Sequence, residues 1–229
     1  MLSVIVPTLN AEHRLTATLA ALVPAVVNGV VREVVIADGG SRDATLGIAD
    51  LSGATVVRSR RGRGAQLAAG AAEARSEWLL FLHADTVLAS DWEREVSAFM
   101  ARGDSGARSQ SAAAFRFALD DFGIKPRLLE ALVRLRCALL RLPYGDQGLL
   151  ISRQLYEEIG GYRPLPLMED VDLVRRIGRR RIVILRSAAV TSAERYKREG
   201  YLRRALRNIA CLSLYYLHVP PRTLARLYG

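Results

Sequence analysis

The sequence predicts an α/β fold with a mostly parallel central sheet, and three observations carry that expectation. Short, continuous apolar runs recur through the first half of the chain. Most are followed by an alanine- and leucine-rich stretch with helical spacing, and the runs stop at Pro, Gly, Asp or His. Runs that are apolar at every position imply strands buried on both faces, as in a parallel sheet covered by helices.

The elements follow in order. Ser3–Val6 is a β-branched run stopped by Pro7, and Ala11–Val23 has helical spacing. A second strand, Val34–Ala37, ends in the turn Asp38-Gly39-Gly40-Ser41, and a helix is expected over Asp43–Leu51. Thr55–Val57 is the third strand; the loop Arg60–Gly64 then leads into a helix over Ala65–Arg75. The fourth strand, Trp78–Leu82, ends at His83-Ala84-Asp85. Arg102–Ser111, rich in Gly, Ser and Arg, predicts an exposed loop. Beyond it, Phe115–Phe117, Leu149–Ile151 and Arg181–Leu185 predict strands, and Lys125–Leu142 and Glu199–Leu217 predict helices. A main domain over 1–190 with a helical extension over 191–229, packed as one structural unit, is the expected organisation.

Composition bounds the function. The 229 residues suffice for one sizeable core. Cys137 and Cys211 lie in apolar surroundings with no metal-ligand spacing, so buried free thiols in a reducing cytoplasm are expected. No charged leader precedes the first strand, and Ile209–Val219 is about half the roughly 20 residues a membrane span needs. The formal charge is +10, and Lys125 and Lys197 are the only lysines. Arginine binds phosphate through a planar fork, so a diphosphate substrate, an anionic membrane or a nucleic acid could account for the charge. No nucleic-acid-binding module accompanies it, and no nucleic acid partner is expected.

In parallel sheets, ligands bind beyond the carboxyl ends of the strands, which gathers Pro7-Thr8, Asp38-Gly39 and His83-Ala84-Asp85 at one edge. Asp38 can accept hydrogen bonds from a base or ribose, or simply cap its own turn. Asp85 with His83 two residues earlier can hold a divalent cation beside a diphosphate, or can be a helix cap beside an incidental histidine. Glu169-Asp170 opens a helix; it supplies either a general base or charge complementing the dipole.

Four segments, Val4–Asn10, Ala37–Asp43, Phe81–Asp85 and Met168–Leu173, resemble family 2 glycosyltransferases in order and spacing. Gly62–Gln66, Gly145–Gly148 and Pro220–Tyr228 are similar to a small bacterial subfamily of them. The resemblance implies the GT-A fold and an inverting enzyme that moves a sugar from a nucleoside-diphosphate donor, UDP- or GDP-linked, to an acceptor hydroxyl. It implies that Asp170 is the catalytic base. Pro7, Thr8, Asn10, Asp38, Gly39, Arg63, Gln66, Ala84, Asp85, Asp146, Gln147 and Glu169 would bind nucleotide or substrate, and Asp85 with His83 would hold Mg²⁺ or Mn²⁺.

Departures from the family pattern qualify these roles. His83 stands where the metal motif has its first Asp, removing a negative charge from a site for a hard cation. Ala11 replaces a frequent Glu, with Glu12 as a substitute; Ala68 replaces a frequent Asn. The processive-synthase motif Gln-X-X-Arg-Trp is absent, favouring single transfers. In the basic C-terminal helix, Leu202, Leu206, Ile209, Leu212 and Tyr216 form an apolar stripe. Packing of that stripe on the core is the plain expectation; peripheral contact with an anionic membrane at its inner face, or with a lipid-phosphate acceptor, is the alternative. A nucleotide-sugar-binding protein without activity and a basic nucleic-acid-binding protein are the rival functions. A sugar-nucleotide pyrophosphorylase lacks support, because its Gly-rich N-terminal loop with a nearby Lys is missing.

Overall fold

The computed structural model describes residues 1–105 and 110–228. The chain opens with β1 (Leu2–Thr8), which continues through Pro7, and α1 (Glu12–Ala20). The expected single helix to Val23 is interrupted: α2 (Val23–Val27) starts afresh with Pro24 in its first turn. Proline has no N–H to donate and clashes with the carbonyl four residues back, so α1 cannot run through it. Then come β2 (Val31–Asp38), α3 (Thr45–Leu51), β3 (Thr55–Arg58), α4 (Arg63–Glu73), β4 (Trp78–Phe81) and the short β5 (Thr86–Leu88).

Residues 92–104, unassigned from the sequence, form α5 (Trp92–Asp104), whose Trp92, Val96, Phe99 and Met100 are buried on one face. That spacing is helical, and it shortens the expected 102–111 loop at its front. The four residues 106–109 of that loop lie outside the described residues, and β6 (Ala112–Leu119) follows. The remainder is α6 (Ile124–Leu140), β7 (Leu149–Ser152), α7 (Arg153–Glu158), α8 (Glu169–Ile177), β8 (Ile182–Thr191), α9 (Glu194–Glu199), α10 (Tyr201–Tyr216) and α11 (Pro221–Tyr228).

The strands make one sheet in the order β3-β2-β1-β4-β7-β6-β8-β5. β1, β2, β3 and β4 pair in parallel, as expected. The other half is mixed: β7 runs antiparallel to β4 and β6, β5 antiparallel to β8, and only β6 with β8 is parallel. An apolar run reports burial on both faces and is silent about its neighbour's direction, so this half was not legible as mixed.

Successive side chains feed opposite faces. Leu2, Val4 and Val6 of β1 join one core cluster with Leu15, Leu80 and Phe99, while Ile5 joins the other with Leu67, Leu79 and Val171. Cys211 and Leu224 of the C-terminal helices belong to the second cluster, and both cysteines are buried and free.

The expected inward stripe of α10 is corrected in part by the structure: Leu212 packs against the second core cluster, and the rest of the stripe faces out. Leu202, Leu206 and Ile209 are 73, 57 and 58 % exposed. The helix buries Arg204 and Cys211 instead. Arg204 can go inward because Glu199 pairs with it at 3.0 Å and the ring of Tyr196 lies beneath it.

Candidate active site

The chain turns back on itself across β1. From β1 it winds to β2 and β3 on one side, then crosses to β4 on the other. Such a reversal leaves a crevice beyond the strand ends. A cleft of about 440 Å³ lies there, lined by Pro7, Thr8, Asn10, Arg63, Gln66, His83, Ala84 and Asp85 among others.

Asp38 stands behind Thr8 and is only 2 % exposed. Its Oδ1 accepts from the hydroxyls of Thr8, at 3.1 Å, and Ser41. The backbone N–H groups of Gly40 and Ser41 donate to Oδ2 at 2.8 and 2.9 Å. Burial alone would push its pKa up, but hydrogen bonds from Ser41, Gly40 and Thr8 outweigh it and hold the carboxyl below the usual range. Asp38 thus organises the turn that shapes the crevice, and it is not on the wall of the cleft.

Gln66 is buried and stitches two strand ends together: its amide donates to the carbonyls of Thr8 at 2.7 Å and Ala37 at 2.9 Å. Gly39 lies against it, and a Cβ there would come within 3.0 Å of the Gln66 amide. Asn10, at φ 51°, accepts the Arg42 N–H at 2.9 Å. Glu12 accepts the Ala44 N–H at 2.9 Å in the loop before α3.

A second, smaller cavity of about 120 Å³ adjoins the first and shares Arg63, His83, Asp85, Ser192 and Arg195 with it. Its far wall carries Asp170, Glu169, Asp146 and Tyr144, closed by Tyr196, Arg204 and Asn208. Met168 takes φ 65° directly before α8 and turns the chain so that Glu169 and Asp170 open the helix. Asp170 is fixed by two N–H donors, Gly145 to Oδ2 and Val171 to Oδ1, each at 2.7 Å. Gly145 has to be glycine: a Cβ would sit 2.8 Å from Nε2 of His83.

Arg63, at the start of α4, joins the two cavities. Its Nε is 3.4 Å from Oε1 of the buried Glu169, and its Nη1 is 3.4 Å from Nε2 of His83. Burial lowers the His83 pKa to about 4, aided by Arg63 and opposed by Asp85 and Asp170, so the imidazole is neutral at pH 7. Burial raises Glu169, with Asp170 adding to the effect and Arg63 opposing it. Burial raises Asp146 to about 6 against the pull of Arg136, and its Oδ1 accepts no hydrogen bond among the described residues.

The adjacent Gln147 has a different role. Its amide donates to the Phe115 carbonyl at 2.9 Å and its carbonyl accepts from Arg136 at 3.2 Å, so it braces the loop from inside. Of the expected site residues, Pro7, Thr8, Asn10, Arg63, Gln66, His83, Ala84, Asp85, Asp146, Glu169 and the expected base Asp170 meet the cavities; Asp38, Gly39 and Gln147 support them from behind. Arg195, Tyr196, Arg204 and Asn208 were not expected there.

A metal has incomplete support in the protein. Among the described residues, no group of three or more His, Cys, Asp or Glu side chains converges to hold an ion. His83 and Asp85 offer two donors, while Mg²⁺ wants near-octahedral oxygen coordination. These side chains do not make a metal site on their own.

Solved structures share the architecture. Residues 1–349 of TarS from S. aureus match 99 % of this chain and 69 % of that one, with TM-score 0.64 at 16 % identity. Glucosyl-3-phosphoglycerate synthase from Mycobacterium tuberculosis, in complex with Mn²⁺ and UDP-glucose, matches 91 % of this chain and 77 % of its own, with TM-score 0.62 at 20 % identity. The same synthase with Mn²⁺, UDP and glucosyl-3-phosphoglycerate matches 84 % and 70 %, with TM-score 0.56 at 21 % identity. At these identities the likeness establishes the GT-A fold. No curated protein sequence matches the chain. Residues 3–135, more than half of the chain, match the family described as Glycosyl transferase family 2. The chain belongs to glycosyl transferase family 2.

Proposed function

We propose that this glycosyltransferase transfers a sugar from a UDP- or GDP-linked donor to an acceptor hydroxyl with inversion, and that the acceptor is lipid-linked. One observation carries the reading: a larger cleft at the strand ends and a smaller cavity holding Asp170 meet at Arg63, His83 and Asp85. A nucleoside diphosphate bound in the larger cleft would bring its sugar to the shared wall. The acceptor hydroxyl would then approach through the smaller cavity.

The chemistry follows from that division. Asp170 is held by two N–H donors and keeps lone pairs for the acceptor. It takes the hydroxyl proton as the acceptor oxygen bonds to the anomeric carbon. On the opposite side the bond from that carbon to the diphosphate oxygen breaks, and its electron pair leaves with the nucleotide. Attack from the face opposite the leaving group inverts the configuration. Arg63 and Arg195, on the shared wall, are placed to stabilise the charge on the departing diphosphate. The Mn²⁺ in the synthase complexes sits with UDP or UDP-glucose. Here Asp85 and His83 would be the protein donors to such an ion, with diphosphate oxygens completing its shell; with a single carboxylate in the pair, more of the diphosphate charge falls on the arginines.

Buried free thiols suit a reducing cytoplasm, and work at the inner face of a membrane fits a lipid-linked acceptor. The test is a thermal-shift panel of UDP-, GDP- and dTDP-sugars with and without Mn²⁺. A rise in Tm with UDP- or GDP-sugars, enlarged by Mn²⁺, is expected; no shift with any nucleotide contradicts the proposal.

A further inference from the structure

On α6, Ile124, Leu128, Leu132, Leu135 and Leu139 recur every three or four residues and form one stripe. They are between 50 and 86 % exposed, and Phe122 just before them is 89 % exposed. The residues that α6 buries, Pro126, Glu130 and Cys137, are on its other side. α10 repeats the arrangement: Leu202, Leu206 and Ile209 face out opposite the buried Arg204 and Cys211, and Leu217 beyond its end is 74 % exposed. The two helices are neighbours, with Leu129 and Val133 of α6 and Tyr201 of α10 packed on one small cluster.

Cations border both stripes. Lys125 and Arg134 on α6 and Arg203 on α10 are exposed, whereas Arg127 turns its guanidinium onto the buried Glu130. By helical geometry Lys125 falls on one flank of the leucine stripe and Arg134 on the other. Long basic side chains in such positions lay their stems along an apolar surface and reach outward with their charge.

We infer that the face formed by α6 and α10 seats on an anionic lipid surface, with both helices lying in the head-group plane. An apolar patch of this extent with a charged rim marks an interaction surface. Its basic border complements anionic head groups. A second copy of the chain would bring the same basic border against it, which like-charge repulsion opposes. Among the described residues no helix is long and apolar enough to cross a membrane, so the helices lie on the bilayer.

The seat also has a place relative to the cavities. α10 contributes Arg204 and Asn208 to the smaller cavity from its inner side, and the segment after α6 contributes Tyr144 and Asp146. Seating would bring that cavity close to the head groups, where a lipid-borne hydroxyl could enter. This last step rests on the transferase reading; the seating itself does not.

Cosedimentation of the full chain with phosphatidylcholine vesicles, with and without phosphatidylglycerol, tests the inference. Binding to the anionic vesicles that weakens with added salt is expected. Changing Leu128, Leu132 and Leu135 together to Gln should weaken it by about tenfold or more, and so should Leu206→Gln with Ile209→Gln. Both variants should keep the UDP-induced thermal shift, which shows that they are folded. No binding to anionic vesicles, or binding that the Gln variants leave unchanged, overturns the inference. A dimer in light scattering that the same variants abolish overturns it too, because a second copy then covers this face. Vesicle binding without any nucleotide shift would remove the transferase reading and leave the lipid seat standing.

Discussion

The two halves of the sheet build their parts of the site by different means. In the parallel half, β1 and β4 end at the crevice, and much of the cleft wall consists of Pro7–Ala11 and His83–Asp85 at those strand ends, with Arg63 and Gln66 of α4 beside them. In the mixed half, the smaller cavity is assembled from the loop around Gly145, the first turn of α8 and two helices beyond β8. The first half is held by backbone carbonyls and a turn: Gln66 locks two strand ends, and Asp38 locks the turn after β2. The second is held by charged side chains, with Arg63–Glu169 and Arg204–Glu199 as its ion pairs. In the proposed reading, donor recognition belongs to the sheet and acceptor recognition to what is attached to it.

Substitutions can break that division, and the largest effect belongs to the base. Asp170→Asn should lower kcat by about a thousandfold while circular dichroism stays native, because the amide oxygen keeps one of the two N–H donors, Gly145 or Val171, and only the other loses its acceptor. Arg63 touches both halves, so Arg63→Met should weaken UDP binding by about 30-fold and also slow turnover. The variant leaves the buried Glu169 without that partner. Gln66→Ala removes two buried hydrogen bonds and should cost about 2 kcal/mol in chemical denaturation, with a looser donor cleft and an unchanged acceptor KM.

Asp38 gives the pH arm. Its folded pKa is depressed, so its contribution is complete above the free carboxyl value of about 4 and is lost as pH falls through the lower folded value. Asp38→Asn should lower stability by about 1–2 kcal/mol at pH 7 and flatten the acid side of the stability profile. The smallest effect is expected at the closing wall: Asn208→Ala should raise the acceptor KM a few-fold and leave the donor KM alone.

The same contrast explains what the sequence revealed. Pro7-Thr8 and His83–Asp85 were legible because a buried apolar run announces its own end, and the ends of parallel strands point to the crevice. Asp38 was legible by the same rule, yet the structure gives its oxygens to the turn. Arg195, Tyr196, Arg204 and Asn208 were not legible as site residues. The apolar run of β8 is interrupted at Arg186-Ser187, so the strand was expected to stop at Leu185, although it continues to Thr191. Its register against β6 shifts between Ala114 and Arg116, which absorbs the interruption. Following the strand to Thr191 places Ser192 and Arg195 just past a strand end, where the rule would have found them. The stripe on α10 misled for another reason: periodicity identifies a face, and whether protein or something else covers it is settled by packing.

The division between a donor cleft and a base that serves only the acceptor is most directly tested by titrating UDP into the wild-type protein and Asp170→Asn by calorimetry, with turnover measured on the same samples. Equal Kd values for UDP, with turnover lost in the variant, are predicted. A variant that no longer binds UDP, or one that turns over at the wild-type rate, would contradict it.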